Sequence, residues 1–258
     1  MNKIRDALSE GRPSFGGWST LADSLSAELM GGAGFDWVIV DTQHGSVTNA
    51  DLVRVIQALA IGGTAAVVRV PWTDAATIMR VLDVGAKGVI VPMVNTPEEA
   101  ALAAAALHYP PEGIRSMGPT RGAFASTAAA NEDVVLLVMI ETAEALERVD
   151  EIAAVPGVDG IFVGPVDLGL SLGLPLDWTG TQPEVLAAMD KIVAAAERAG
   201  VFVGTVSSSA ADAKDLLARG VKFVSLGADV GYIRAGIATD GAVLKELRSQ
   251  PTNAGKGA

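Results

Sequence analysis

Close to eight short apolar runs, each rich in valine and isoleucine and each followed by a helix-like stretch, constrain this chain more than any other feature. Runs without polar alternation read as strands buried on both faces, the pattern of a parallel sheet covered by helices. They fall near residues 15–18, 37–41, 66–70, 88–92, 134–141, 160–168, 201–206 and 222–226. Between them lie helix-like segments near 24–33, 74–84, 183–199, 210–218 and 232–247. Two more are expected to be capped by Asn49 and Thr96 and to run to about Ala60 and Leu107. Repeated βα units imply parallel strands, and eight of them can close into a (β/α)8 TIM barrel. An open doubly wound sheet is the competitor. A dinucleotide-binding sheet of that kind is expected to carry Gly-x-Gly-x-x-Gly at its first strand-to-helix turn, and none is present here.

The length of 258 residues is ordinary for one such barrel, and no linker divides it. The expectation is a single domain over residues 1–250 with a flexible tail over 251–258. A net charge of −11 opposes nonspecific binding to nucleic acid or anionic lipid, although an anionic substrate needs only a locally positive pocket. With no cysteine, thiolate metal sites, disulfides and cysteine nucleophiles are excluded, so a metal would be held by oxygen or histidine. Residues 1–12 lack the apolar core of a signal peptide and no run reaches membrane-spanning length, which leads to the expectation of a cytoplasmic protein.

Barrel active sites sit at the carboxyl ends of the strands, so the polar residues there are the candidates. The fifth and sixth runs end in Glu141 and Asp167. On neighbouring strands these acids would reach one rim and could share a hard divalent cation; acids at such positions also cap helices well. Asp41-Thr42-Gln43-His44-Gly45 follows the second strand, Arg69 ends the third, and the helix carrying Asp83 is assigned to the rim after the fourth. Arg69 ends a buried run, where a guanidinium needs an anion: Asp41, Glu141 or a substrate carboxylate. His44 can move protons near neutral pH, whereas His108 reads as a structural residue at a helix end. Two acids, an arginine and a histidine suit a 2-oxo acid, whose carboxylate and keto oxygens chelate a metal that stabilises the enolate formed at C3.

These motifs, together with Val68-Arg69-Val70-Pro71, Val91-Pro92-Met93-Val94, Tyr109-Pro110-Pro111-Glu112-Gly113-Ile114-Arg115 and the stretch from Val158 to Leu168, resemble the HpcH/HpaI metal-dependent (class II) 2-oxo acid aldolases over nearly the whole chain. The resemblance implies a (β/α)8 barrel whose C-terminal helix is swapped between subunits of a hexamer built from trimers or dimers. It implies that Glu141 and Asp167 bind Mg²⁺, Mn²⁺ or Co²⁺ and that Arg69 binds the keto or enolate oxygen. His44, acting with water and paired with Asp83 of a neighbouring subunit, would be the acid/base. Backbone amides around Gly164, Pro165 and Val166 would hold the pyruvate carboxylate, and Asp41 would support the histidine loop or a metal-bound water.

The chain departs from the family pattern at Met139, where a glutamine is usual, at Gln43 and Gly45, which replace a glutamate and an alanine, and at Ser116, where glycine is common. Met139, which cannot donate a hydrogen bond, Gln43 and Ser116 therefore join the candidate residues that bind or support substrate. The expected activity is reversible cleavage of a 4-hydroxy-2-oxo acid to pyruvate or hydroxypyruvate plus an aldehyde. The alternatives are a lyase or decarboxylase acting on a CoA ester or oxaloacetate, and a barrel used for assembly or ligand binding without catalysis. A CoA ester would need a basic groove, and no arginine or lysine cluster supplies one.

Overall fold

The computed structural model describes residues 2–122 and 124–249. Its strands are β1 (Ser14–Ser19), β2 (Trp37–Asp41), β3 (Ala65–Arg69), β4 (Gly88–Val91), β5 (Val135–Ile140), β6 (Gly160–Val163), β7 (Phe202–Val206) and β8 (Phe223–Ala228). Each pairs in parallel with the next, and β8 pairs back onto β1 through Ser14 and Phe223, closing the barrel. That closure excludes the open sheet. The helices are α1 (Lys3–Ser9), α2 (Ser24–Gly31), α3 (Leu52–Ile61), α4 (Ala75–Asp83), α5 (Pro97–Leu107), α6 (Thr127–Glu132), α7 (Ala143–Glu147), α8 (Val149–Ala153), α9 (Pro165–Ser171), α10 (Pro183–Ala199), α11 (Ala210–Ala218) and α12 (Asp229–Ser249). The expected tail over 251–258 lies outside the described residues.

Because side chains on a strand alternate between faces, each run feeds two separate cores. Trp18, Trp37, Ile39, Val67, Leu137, Met139, Phe162 and Phe223 fill the barrel interior. Val38, Val40, Val68, Leu136, Val138 and Ile140 pack outward against the helices. The interior is a packed plug rather than a pore: Trp37 and Phe223 stack face to face, and Ile4 of α1 joins the same cluster. Large rings need small neighbours. A Cβ on Gly16 would lie 2.1 Å from the Trp37 ring, and one on Gly204 would lie 2.8 Å from Phe223.

Two local expectations change. The helix after β2 starts at Leu52 with Asp51 rather than Asn49 at its cap position, and the Asp51 carboxylate accepts instead from the N–H and hydroxyl of Thr48. The sixth run is two elements: β6 ends at Val163, and Asp167 sits in the first turn of α9. Pro165 at the first helical position explains the break, since it cannot donate to a strand ladder but fits a helix start. Thr96 does cap α5, in a reciprocal capping box with Glu99. α12 runs for 21 residues, of which Asp229 alone is buried, and it exposes Ile233, Ile237, Leu244 and Leu247.

Gly16→Ala should lower unfolding stability by about 1–3 kcal/mol, the usual cost of overpacking a filled core, as read from the urea midpoint. An unchanged midpoint would mean that the Trp37–Phe223 stack has room to move.

Candidate active site

The inward phase of the pleat that buries Trp37 and Ile39 brings Asp41 into the barrel mouth two residues later. Val67 and Arg69 on β3 share that phase, and so do Leu137, Met139 and Glu141 at the end of β5. Asp41 and Arg69 are register partners on β2 and β3. Their side chains form a buried, two-pronged ion pair, with Arg69 Nε 3.0 Å from Asp41 Oδ1 and Nη2 bonded to Oδ2. The Trp18 indole N–H donates to the same carboxylate at 3.1 Å, and the backbone N–H groups of Gln43 and His44 do so at 3.0 and 3.2 Å. Burial opposes ionisation of Asp41, yet the hydrogen bonds and charge of Arg69, with those further donors, hold its carboxyl below the usual carboxylate range.

Glu141 is 3% exposed and accepts from the backbone N–H of Met93 at 2.8 Å. Met93 has φ +55°, a left-handed conformation that costs a side-chain-bearing residue energy; it turns the end of β4 so that this N–H faces Glu141. Gly164, just past β6, leaves room for the other carboxylate oxygen: a Cβ there would lie 2.3 Å from Glu141 Oε2. Burial pushes the Glu141 carboxyl up to about 7, and the negative charge of Asp167 acts in the same direction, against the Met93 N–H and Arg69.

Glu141, Asp167, Arg69 and Met139 line one cavity of about 200 Å³, together with Trp18, Phe162, Gly164, Pro165, Val166 and Val206. Pro165 has no N–H, so amide donors at this corner can come from Gly164, Val166 and Asp167 but not from Pro165. Met139 is buried as the apolar wall beneath Glu141. Gln43 has a buried Oε1 that finds no hydrogen-bond partner among the described residues. His44 is exposed beside the mouth, and among the described residues its imidazole has no hydrogen-bond partner. Sequence reasoning did not single out Trp18, Met93, Phe162 or Val206. Trp18 had a usable signal in its inward phase on β1, whereas the Met93 contact depends on a backbone turn that no residue type announces.

Asp83 and Ser116 are not brought to this cavity within one chain. Asp83 ends α4, which precedes β4 instead of following it, and α4 has by then returned to the amino-terminal rim of the barrel. There its carboxylate pairs with Arg115 at 2.9 Å, and its backbone carbonyl accepts from Thr120 and Arg121. Ser116 lies exposed in the same segment. A larger cavity of about 360 Å³ at that rim is lined by Arg115, Arg121 and Lys87 and contains neither Glu141 nor Asp167. His108 is buried, with Nδ1 3.0 Å from the Ala104 carbonyl, the structural role expected of it.

Residues 14–235 match the family model described as HpcH/HpaI aldolase/citrate lyase. The chain belongs to that family. It is 42% identical over 240 residues to a hydroxypyruvate/pyruvate aldolase of Rhizorhabdus wittichii, covering 91% of this chain and 95% of the relative. A 4-hydroxy-2-oxo-heptane-1,7-dioate aldolase of Salmonella dublin is 38% identical over 245 residues, 91% of each chain. Among solved structures, that of the citrate synthase SbnG superposes with a TM-score of 0.88 at 29% identity, covering 97% of this chain and all of that one.

The donor chemistry of this HpcH/HpaI member suits a divalent cation. Carboxylate oxygens are hard donors, and two like-charged acids share a cavity in which the buried one already resists ionisation. Among the described residues, no third His, Cys, Asp or Glu joins them to make a closed ligand cluster. A pair of this kind leaves positions for substrate oxygens and water, the usual mode for Mg²⁺.

The unfolded Glu141 carboxyl ionises near 4.5 and the folded one near 7, so between these values the folded metal-free chain holds more protons and its stability falls as pH rises. Glu141→Gln should remove that loss and raise the metal-free Tm at pH 8 by at least about 2 °C. Differential scanning fluorimetry in EDTA across pH 4.5–8 reads it, and an unchanged or lowered Tm would contradict the assigned shift.

Proposed function

We propose that this protein is a class II aldolase that reversibly cleaves 4-hydroxy-2-oxo acids to pyruvate or hydroxypyruvate and an aldehyde. The observation that carries the proposal is the meeting of Glu141, Asp167 and Arg69 in one cavity at the carboxyl ends of the strands. Glu141 and Asp167 would hold Mg²⁺, Mn²⁺ or Co²⁺. A bound cation would supply Lewis-acid neutralisation of the charge that develops on the oxo-acid oxygens. Arg69 turns Nε and one N–H of Nη2 to Asp41, which leaves its other N–H groups to meet the C2 oxygen. Gly164 and the amides of Val166 and Asp167 leave space and donors for the substrate carboxylate, while Trp18, Met139 and Phe162 exclude water from the floor.

In the cleavage direction His44, directly or through water, accepts the C4 hydroxyl proton. The C3–C4 bond breaks, its electron pair moves into the C2–C3 bond and the former carbonyl oxygen, and C3 is then protonated. Among the described residues His44 has no acidic partner in its own chain, and we assign that role to Asp83 of the partner subunit. This assignment requires an oligomer, and we propose the family's hexamer, with the exposed apolar face of α12 seated on a neighbouring copy. The expected partners are a small 2-oxo acid and an aldehyde in the cytoplasm, with no nucleic acid or membrane. Among the described residues, no helix is long and apolar enough to cross a membrane.

A second reading, a lyase or decarboxylase acting on oxaloacetate or a CoA ester, uses the same enolate chemistry. The likeness to a citrate synthase structure supports keeping it.

With Mn²⁺ present, the protein should exchange the C3 protons of pyruvate in D₂O, and EDTA or Glu141→Ala should abolish the exchange. Absence of exchange with every divalent metal would overturn the aldolase reading, and release of CO₂ from oxaloacetate at a higher kcat/KM than aldol cleavage would favour the second. His44→Ala should slow aldol cleavage by about 10²–10⁴-fold, the usual contribution of an acid/base group, with the Mn²⁺ affinity retained. Loss of Mn²⁺ binding in that variant would show that His44 was misassigned.

A further inference from the structure

The Asp41–Arg69 pair is not self-supporting. A guanidinium fork and a carboxylate can slide or rotate along each other unless a third group fixes the carboxylate plane, and at the mouth of this barrel the third group is Trp18. Its indole N–H donates to Asp41 Oδ2 at 3.1 Å, the oxygen that also receives Arg69 Nη2. Its ring face lies under the same guanidinium, with the Arg69 Cζ 4.7 Å from the ring centroid. One side chain therefore touches both members of the ion pair, from the edge and from the face. The indole is itself held: it is 9% exposed and meets the Phe162 ring edge-on at 5.8 Å. The opposite oxygen of Asp41 is anchored to the backbone of Gln43 and His44. The indole is thus the only side chain other than Arg69 that, among the described residues, bonds Asp41.

We propose that Trp18 is a positioning residue: its N–H fixes the Asp41 carboxylate and its ring supports the Arg69 guanidinium, so that the uncommitted N–H groups of Arg69 face the C2 oxygen of a 2-oxo acid. The inference rests on the aldolase reading for the identity of that oxygen. The physical reason for expecting a kinetic effect is preorganisation. Donors aimed at developing charge contribute in proportion to how little they must reorganise, and a charged planar fork held on two sides has little freedom left. The effect belongs to the charged, enolate-like state more than to bound ketone, so it falls on kcat rather than on KM.

The test removes the N–H and keeps the ring. In Trp18→Phe, and in a protein carrying 3-benzothienylalanine at position 18, which preserves the indole shape without its donor, Mn²⁺-dependent exchange of the pyruvate C3 protons should fall about tenfold in kcat, the size expected for one hydrogen bond to a charged group. KM for pyruvate and Kd for Mn²⁺ should change less than about twofold. Calorimetric titration of the Mn²⁺-loaded protein with oxalate, a planar dianion resembling pyruvate enolate, should show a Kd about tenfold weaker. In an Arg69→Lys background the same replacements should have no further effect on either quantity, because the group they position is gone. The benzothienyl protein keeps the packing of the core, so the test survives if Trp18→Phe does not fold.

Oxalate affinity unchanged in both variants, or a tenfold loss that persists in full beside Arg69→Lys, would overturn the proposal. Failure of the wild-type protein to exchange pyruvate protons while oxalate still binds would overturn the aldolase reading alone, leaving the calorimetric cycle to decide the role of Trp18. A wild-type protein that binds no oxalate would overturn both.

Discussion

Every strand of a closed barrel is buried on two faces, and the pleat decides which face each residue joins. In this protein that single constraint sets both the core and the site. The rows that pack Trp37, Ile39, Val67, Leu137 and Met139 inside the barrel continue, without change of phase, into Asp41, Arg69 and Glu141 at its mouth. Ring and glycine alternate to fill the interior, as at Gly16 under Trp37, so the floor of the cavity is solid and its polar groups face one opening. A one-residue slip of β5 would turn Glu141 into the helix layer and expose Met139 to the wrong partners.

Electrostatics at the mouth follow from that placement. Arg69 and Asp41 neutralise each other in a buried pair, which lets a strongly charged fork stand beside apolar rings without an unpaired charge. Among the described residues Glu141 has no such ion-pair partner. It is held by one backbone N–H from a strained Met93, faces Asp167 across the cavity and carries a carboxyl pushed up to about 7. The contrast is between an acid satisfied by a charged neighbour and a buried acid that is not.

Much of this was readable before folding. β2, α10 and α11 begin and end where the apolar periodicity and glycine punctuation place them or within one residue of it. Asp41, Arg69 and Glu141 could be chosen because each ends a run too apolar to carry a charge by accident. Reading failed where local signals were ambiguous. Asn49 and Asp51 are both good caps, and only the turn made by Thr48 selects between them. Asp167 looked like a strand end because apolar residues continue on both sides of Pro165, whose missing N–H ends the ladder and opens α9. Within one chain Asp83 lies at the rim opposite the one expected for it, since it ends α4 ahead of β4 and a helix C-terminus and a strand C-terminus point to opposite ends of a barrel.

By itself the sequence determined the order of the eight strands, the parallel (β/α)8 class and the identities of the charged residues at three strand ends, because burial on both faces leaves a signature within each short run; the short helices α1, α6, α7, α8 and α9 carry no such signature. Tertiary structure decided which of those residues meet. The ion pair of Asp41 with Arg69, the Trp18 indole that touches both, and the Met93 amide aimed at Glu141 join residues that lie from 23 to 51 positions apart in the chain. Such contacts depend on strand register, on the closure between β1 and β8 and on a single left-handed turn, none of which has a period that a linear sequence can display.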